Sequence, residues 1–211
     1  MNEDKLLPKW KYQLQGFRGL NPPPKPVKPA LLVIDMQRYF CDPEAPAYGL
    51  DFESMLEPCN RLIDRFADLG LPVFFTQYYT RGDTDASVRW WGERLDRDSE
   101  WVDLDSRLHR PKGSRQLFKH TYGTFASTSL ALELKELKCD SVAVCGVMTD
   151  LCCETTAREA FDRGFGVYFA GDATATSDPL LHFSALATLA HGFAWLLTVD
   201  EILHLLEGKH G

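Results

Sequence analysis

The chain has 211 residues, which fits one large α/β domain or two very small ones. Apolar residues make up 45% and charged residues 25%, the proportions of a folded globular protein rather than a disordered one. The formal net charge of −7 argues against a general binder of nucleic acid or of anionic membranes.

The sequence shows neither a membrane span nor an export signal. Its longest strongly apolar run, 193–199, is far too short to cross a bilayer. The N-terminus begins with acidic residues and lacks an apolar h-region, so we expect no secretory signal. The six cysteines follow no disulfide framework, which favours reduced thiols and a cytoplasmic location.

A proline-rich arm separates a short N-terminal segment from the body of the chain. Five prolines lie within 21–29 (NPPPKPVKP), where they fix φ and remove backbone donors, so this piece is predicted to be extended. The segment before it carries Trp10, Tyr12 and Phe17, which we expect to pack on the domain or on a neighbouring subunit. We assign 1–29 to the arm and 30–211 to a single domain.

Beyond the arm, apolar runs alternate with segments of helical periodicity. Strands are predicted at 30–35, 71–77, 116–119, 141–146, 166–170 and 193–199. Helices are predicted at 53–69, 127–137, 151–162, 179–190 and 200–206, the last capped by Asp200. This alternation predicts an α/β fold with a mostly parallel sheet and helices on both faces.

One connection, 78–115, is much longer than the others. Three of the five tryptophans of the chain lie in it: Trp90, Trp91 and Trp101. A connection of this length usually carries function, so we interpret it as a lid or substrate-specificity insert. Its arginines Arg81, Arg89 and Arg94 either bind a substrate carboxylate or are solvated surface charges.

Three strand ends carry groups that could react together. Asp35 ends the first predicted strand, Lys119 ends the third, and Cys152 follows the fourth at the start of a helix. Each has a structural interpretation as a turn residue, a solvated charge or a packing thiol. Ligands bind outside the carboxyl ends of parallel strands, however, so the three groups should share one edge. There a helix N-terminus and an ammonium would lower the thiol pKa, and a carboxylate could take the thiol proton.

Three motifs in this order resemble the isochorismatase-like cysteine hydrolases, over about 29–206. They are LLVIDMQ at 31–37, FKHTYGTF at 118–125 and CGVMTDLC at 145–152. That superfamily includes nicotinamidases, N-carbamoylsarcosine amidase, ureidoacrylate amidohydrolase and the isochorismatases. The resemblance implies a doubly wound, Rossmann-like domain of three layers, with a six-stranded parallel sheet of order 3-2-1-4-5-6.

The same resemblance assigns functional residues. It implies a catalytic triad of Asp35, Lys119 and Cys152. It also implies a cis peptide between Val147 and Met148, with the N–H groups of Met148 and Cys152 forming an oxyanion hole. Relatives are usually oligomers, so a homodimer or homotetramer is expected. We expect the substrate to contact Phe40, Gln77, Tyr78, Trp91, Tyr122 and Phe125.

Cys153 requires a separate interpretation because it adjoins the expected nucleophile. It falls where relatives carry an apolar residue, so we predict a packing role, with a redox pair of Cys152 and Cys153 as the alternative. The four other cysteines are interpreted as inert. Thr149 and Asp150 are predicted to cap the nucleophile helix.

Two departures from the family patterns narrow the range of reactions and cofactors that we expect. Nicotinamidases carry an Asp-x-His metal pair after the catalytic aspartate, but 51–53 here reads Asp-Phe-Glu and no histidine precedes His109. We therefore predict no metal and no cofactor. Siderophore-type isochorismatases carry glycine at the nucleophile position, so a thiol at Cys152 favours hydrolysis of a C–N bond.

The sequence thus predicts a cysteine hydrolase that cleaves a small amide, ureido or carbamoyl compound through a thioester. An isochorismatase-type vinyl-ether hydrolase using Asp35 as the acid, and a non-catalytic binding module of the same fold, are the alternatives. The partner is expected to be a small-molecule substrate, with no nucleic acid and no membrane.

Overall fold

Six parallel strands form one sheet in the computed structural model, which describes residues 8–207. The strands are β1 (Pro29–Ile34), β2 (Val73–Tyr78), β3 (Arg115–Lys119), β4 (Ser141–Val147), β5 (Gly166–Ala175) and β6 (Trp195–Leu197). Their order is β3-β2-β1-β4-β5-β6, and every neighbouring pair is parallel. The predicted α/β class and strand order are confirmed, and the direction of winding reverses between β1 and β4.

Helices cover both faces of the sheet and give the domain three layers. One face carries α4 (Leu56–Asp68) and α9 (Val199–Glu207); the other carries α6 (Leu130–Glu136), α7 (Glu154–Asp162) and α8 (Pro179–Gly192). Shorter helices are α1 (Lys9–Gln13), α2 (Arg38–Cys41), α3 (Leu50–Glu53) and α5 (Ala86–Trp91). The predicted helix at 53–69 is therefore divided between α3 and α4.

The first strand shows why the sheet is buried on both faces. Leu31 and Val33 of β1 contact the core beneath α4 and α9, whereas Leu32 and Ile34 contact the core beneath α6 to α8. All four side chains are fully buried. Since successive side chains of a strand point to opposite faces, an unbroken apolar run is what such a strand needs.

The last helix begins differently from the prediction. Asp200 was expected as its cap, but α9 starts at Val199 and Asp200 lies inside its first turn. Thr198 caps it instead, because its hydroxyl accepts from the Glu201 N–H (3.2 Å) while the Glu201 carboxylate accepts from the Thr198 N–H (2.7 Å). This reciprocal pair is a capping box, which satisfies two donors where a lone aspartate would satisfy one.

The fifth strand is longer than predicted. The sequence pattern ends it at residue 170, but β5 continues to Ala175. A register shift between Val144 and Gly146 of β4 allows Gly146 to pair with Thr174. The added residues are mostly small, so they lack the bulky apolar side chains from which a buried strand is recognised.

The N-terminal segment packs on the domain of its own chain. Trp10 and Leu14 are buried in the core beneath α6 to α8. The Trp10 ring lies so close to Gly171 of β5 that a Cβ added to Gly171 would be 2.6 Å from a ring atom. Farther along the arm, Tyr168 donates to the Pro24 carbonyl at 2.7 Å. The part of the arm before residue 8 lies outside the described residues.

Within residues 8–207, no helix combines the length and the apolar character needed to cross a bilayer.

We expect Trp10→Ala to lower the free energy of unfolding by about 3–5 kcal/mol, because it empties a buried indole site against β5. Tyr12→Ala is the matched control: Tyr12 is 52% exposed, and its loss should change the stability by only about 0.5 kcal/mol. Urea denaturation of both variants measures the difference. Equal, small losses would contradict an anchored N-terminal segment.

Candidate active site

The three groups predicted at strand ends meet at one point of the sheet edge. The Lys119 ammonium, at the end of β3, lies 2.6 Å from Oδ2 of Asp35, which follows β1. The same ammonium donates to Sγ of Cys152 at 3.3 Å and to the Thr121 carbonyl at 3.1 Å. Asp35 and Lys119 are fully buried and Cys152 is nearly so. The Lys119 ammonium therefore lies between a carboxylate, a sulfur and a carbonyl oxygen.

Asp35 is held in place by Thr76, a residue of β2 that the sequence analysis did not identify. The Thr76 hydroxyl accepts from the Asp35 N–H at 3.0 Å and donates to Asp35 Oδ1 at 2.6 Å. Asp35 itself has φ of +48°, a left-handed conformation that aspartate tolerates better than most residues. These contacts occupy Oδ1 and direct Oδ2 toward Lys119.

Burial has the largest single effect on the pKa values of Cys152 and Lys119. It raises the pKa of the Cys152 thiol to about 12: the Lys119 ammonium lowers this pKa, but the nearby Asp35 carboxylate raises it again. Burial also disfavours the charge on Lys119, yet Asp35 and the Cys152 sulfur outweigh it and raise the Lys119 pKa. The site without substrate therefore holds a neutral thiol beside an ion pair. The expectation of a lowered thiol pKa was wrong because it counted the ammonium and the helix end but not burial.

Cys152, the predicted nucleophile, lies in a π-helical turn, Thr149–Cys153, which leads into α7. The Val147–Met148 peptide bond before it is cis. Thr149 and Asp150 do not cap the helix as predicted, since both side chains bond elsewhere. The Thr149 hydroxyl lies 2.9 Å from Nδ1 of His182 in α8, and the Asp150 carboxylate accepts from the Thr176 hydroxyl. These bonds fasten the turn to the segments that flank it.

The strand before this turn approaches β1 very closely. Gly146 has φ of +112°, and a Cβ there would lie 2.1 Å from the Ile34 carbonyl oxygen. Only glycine has both the conformational freedom and the absence of a side chain that this position requires. The close approach brings together β1, which leads to Asp35, and β4, which leads to Cys152.

A cavity of about 360 Å³ opens above the thiol. Four of the residues predicted to contact substrate line it, together with both residues of the predicted oxyanion hole. They are Phe40, Tyr78, Trp91, Tyr122, Met148 and Cys152. The long connection supplies Trp91, Glu93 and Leu95, and the Trp91 indole N–H donates to the Tyr122 hydroxyl at 2.7 Å. The insert therefore forms one wall of the cavity.

Gln77 and Phe125 lie outside this cavity, so their prediction as its lining was wrong. Tyr78 lines it, and the neighbouring residue in a strand faces the opposite way. Gln77 accordingly donates from Nε2 to the Val102 carbonyl at 2.8 Å. Phe125 packs against Phe165 in the core beneath α6 to α8, with the ring centroids 6.1 Å apart.

The predicted arginines of the insert do not line this cavity, although Arg81 lines an adjoining cavity that shares Tyr78 and Trp91 with it. Arg81 pairs with Asp85 at 3.2 Å, and Arg94 pairs with Asp83 at 3.2 Å and with Asp96 at 2.6 Å. Among the described residues, the cavity wall contains no lysine or arginine at all. A substrate carboxylate would therefore find no cationic side chain in this wall.

Cys153 is fully buried in the core beneath α6 to α8, where burial raises its pKa well above the usual range. All six cysteines are free thiols in the structure. These observations agree with a packing role for Cys153.

The residues present do not fit a metal site of the nicotinamidase type. Glu53, in the relevant region, is bonded by Tyr48 and paired with Arg107. Within 8–207, no three histidine, cysteine or acidic side chains are grouped so that they could hold a metal ion.

Comparison with known proteins defines the class of this chain. The family model described as "Isochorismatase domain" matches residues 29–201. Nicotinamidase 3 of Arabidopsis thaliana is 37% identical over 187 residues, which cover 85% of this chain and 89% of that protein. The protein is therefore an enzyme of the hydrolase class.

Solved structures show the same fold. A cysteine hydrolase from Pseudomonas syringae pv. phaseolicola 1448A superimposes with a TM-score of 0.80 at 24% identity, over 85% of this chain and 92% of that one. N-carbamoylsarcosine amidase from Thermoplasma acidophilum gives 0.73 at 26% identity, over 82% and 97%. The chain belongs to the isochorismatase family, as its three motifs predict.

We expect Thr76→Val to lower the free energy of unfolding by about 1–3 kcal/mol, because it leaves the Asp35 N–H and Oδ1 buried without their partner. Thr174→Val is the control, since the buried Thr174 hydroxyl has no hydrogen-bond partner among the described residues. Urea denaturation compares the two variants. An equal effect of both substitutions would contradict the positioning role of Thr76.

Proposed function

We propose that the protein is a cysteine hydrolase that cleaves the C–N bond of a small amide, ureido or carbamoyl compound through a thioester on Cys152. The observation that carries this proposal is the single ammonium of Lys119, which contacts both the Asp35 carboxylate and the Cys152 sulfur. Nucleophile and base are thereby held around one fixed charge, at the floor of a cavity large enough for a small substrate.

In the first step the thiol proton passes to Asp35 as the sulfur attacks the carbonyl carbon. Since the free thiol has a pKa raised to about 12, the proton leaves as the C–S bond forms rather than beforehand. The carbonyl oxygen becomes an oxyanion. We assign its stabilisation to the N–H groups of Met148 and Cys152, two residues of the cavity wall.

In the second step the C–N bond breaks and Asp35 returns the proton to the leaving nitrogen. A thioester on Cys152 remains. Water then attacks it, giving one proton to Asp35, and the C–S bond breaks as that proton returns to the sulfur. The net reaction consumes one water and releases an acid and an amine or ammonia, with the three side chains restored.

Lys119 is charged in the resting site because Asp35 and Cys152 raise its pKa. Its role is electrostatic: it stabilises the thiolate character that develops at Cys152 and keeps Oδ2 of Asp35 in place. Substitution of Lys119 would leave Asp35 as a buried, unpaired charge, so folding as well as chemistry depends on it.

The relatives support amide chemistry. Nicotinamidase 3 and N-carbamoylsarcosine amidase are both named for hydrolysis of an amide or carbamoyl group. The cavity wall argues against the vinyl-ether alternative, because isochorismate is a dicarboxylate and the described lining has no lysine or arginine to receive it. An intact, buried nucleophile–base pair likewise argues against a non-catalytic binding module. Homo-oligomer formation and a cytoplasmic location stay predictions.

We expect Cys152→Ala to reduce hydrolysis by more than about 10³-fold, since it removes the nucleophile. Cys153→Ala is the matched control: it deletes the adjacent thiol from the core and should keep measurable turnover. Ammonia release from a panel of nicotinamide, carbamoyl and ureido compounds provides the assay. Turnover retained in Cys152→Ala would rule out the thioester mechanism.

Treatment with EDTA followed by dialysis is expected to leave kcat/KM unchanged, because the described residues offer no metal site and the mechanism uses none. The measurement is the hydrolysis rate of the treated and untreated enzyme under equal conditions. A loss of activity that zinc restores would contradict this prediction.

A further inference from the structure

The wall of the catalytic cavity contains one charged side chain among the described residues, and it is acidic. Glu93, from the insert between β2 and β3, contributes its carboxylate to a lining whose other side chains are aromatic, aliphatic, hydroxylic or sulfur-containing. The Asp35–Lys119 pair beneath is neutral as a pair. The charge presented to a substrate is therefore negative, and Glu93 provides it.

The Glu93 carboxylate is held in position without being neutralised. The Tyr39 hydroxyl donates to Oε2 of Glu93 at 2.8 Å, and the Tyr39 ring packs edge-on against Phe40, with the centroids 5.0 Å apart. Within 8–207 no cationic side chain pairs with Glu93, because the neighbouring Arg94 binds Asp83 and Asp96 instead. The bond from Tyr39 leaves the charge of the carboxylate uncompensated.

The phenol of Tyr39 remains a donor at any physiological pH. Burial and the adjacent Glu93 carboxylate both raise its pKa. The Tyr39 hydroxyl therefore keeps the proton with which it donates to Glu93.

The aromatic walls complement the same kind of ligand. Tyr39, Tyr48, Tyr78, Trp91 and Tyr122 all line the cavity. Aromatic faces attract ammonium and other organic cations, and a carboxylate beside them adds a charged hydrogen-bond acceptor. An anion would gain nothing from either feature.

We propose that Glu93 is a specificity-determining residue, selecting amides that carry an ammonium or similar cationic nitrogen away from the bond to be cleaved. This inference rests on the proposed amide hydrolysis for the identity of the reacting end. The selection itself is a property of the cavity, so it can be measured by binding alone.

The test compares three ligands of nearly equal size: benzylammonium, benzyl alcohol and benzoate. Their affinities for the enzyme are measured by isothermal titration calorimetry. Benzylammonium should bind about five- to tenfold more tightly than benzyl alcohol, and benzoate more weakly than both. Glu93→Gln should remove the preference for benzylammonium.

Asp96→Asn serves as the matched control. It removes a negative charge from the same insert, but Asp96 pairs with Arg94 and lies outside the cavity wall. This variant should keep the preference of the wild-type enzyme. Equal binding of benzylammonium and benzyl alcohol, binding of neither, or a preference that survives in Glu93→Gln would overturn the inference.

A parallel assay separates this inference from the proposed reaction. The three corresponding amides, 3-(aminomethyl)benzamide, 3-(hydroxymethyl)benzamide and 3-carboxybenzamide, join the panel of amide substrates. If the enzyme hydrolyses no member of that panel, the proposed function is contradicted, but the binding result still stands. Hydrolysis of the three benzamides at equal kcat/KM would count against the role of Glu93 alone.

Discussion

The ion pair between Asp35 and Lys119 is the interaction on which the site depends. Two charges withdrawn from water are costly to bury, and each is tolerable only because the other is 2.6 Å away. The partners follow β1 and end β3, which are separated in the sheet by β2. The two residues come together only when β3, β2 and β1 pair in this order. The site therefore forms as the sheet forms.

The strand between them contributes more than spacing. Thr76 of β2 satisfies both the backbone and one oxygen of Asp35, and Tyr78 at the end of β2 places its ring 5.2 Å from the Lys119 ammonium. β1, β2 and β3 thus each position at least one side chain of the site. The second half supplies the thiol through a turn fastened to α8 by the Thr149–His182 bond.

Much of this organisation was predictable from periodicity and strand ends. An apolar run closed by Asp35 predicts a doubly buried strand, and its reactive end follows from the general behaviour of parallel sheets. Contacts across strands were not predictable in the same way. Thr76 was missed because its partner depends on register, and Gln77 was misplaced because one residue along a strand changes the face. Phe125 lies near Tyr122 in sequence, yet its ring belongs to the core.

The burial of Cys152 has a consequence for the lifetime of the enzyme. Peroxide and other electrophilic oxidants attack the thiolate, and the stepwise oxidation of cysteine becomes irreversible beyond the sulfenic acid. A thiol whose pKa is raised to about 12 presents almost no thiolate between turnovers. The burial that raises the pKa of Cys152 therefore also shields its sulfur from oxidants that react with thiolates.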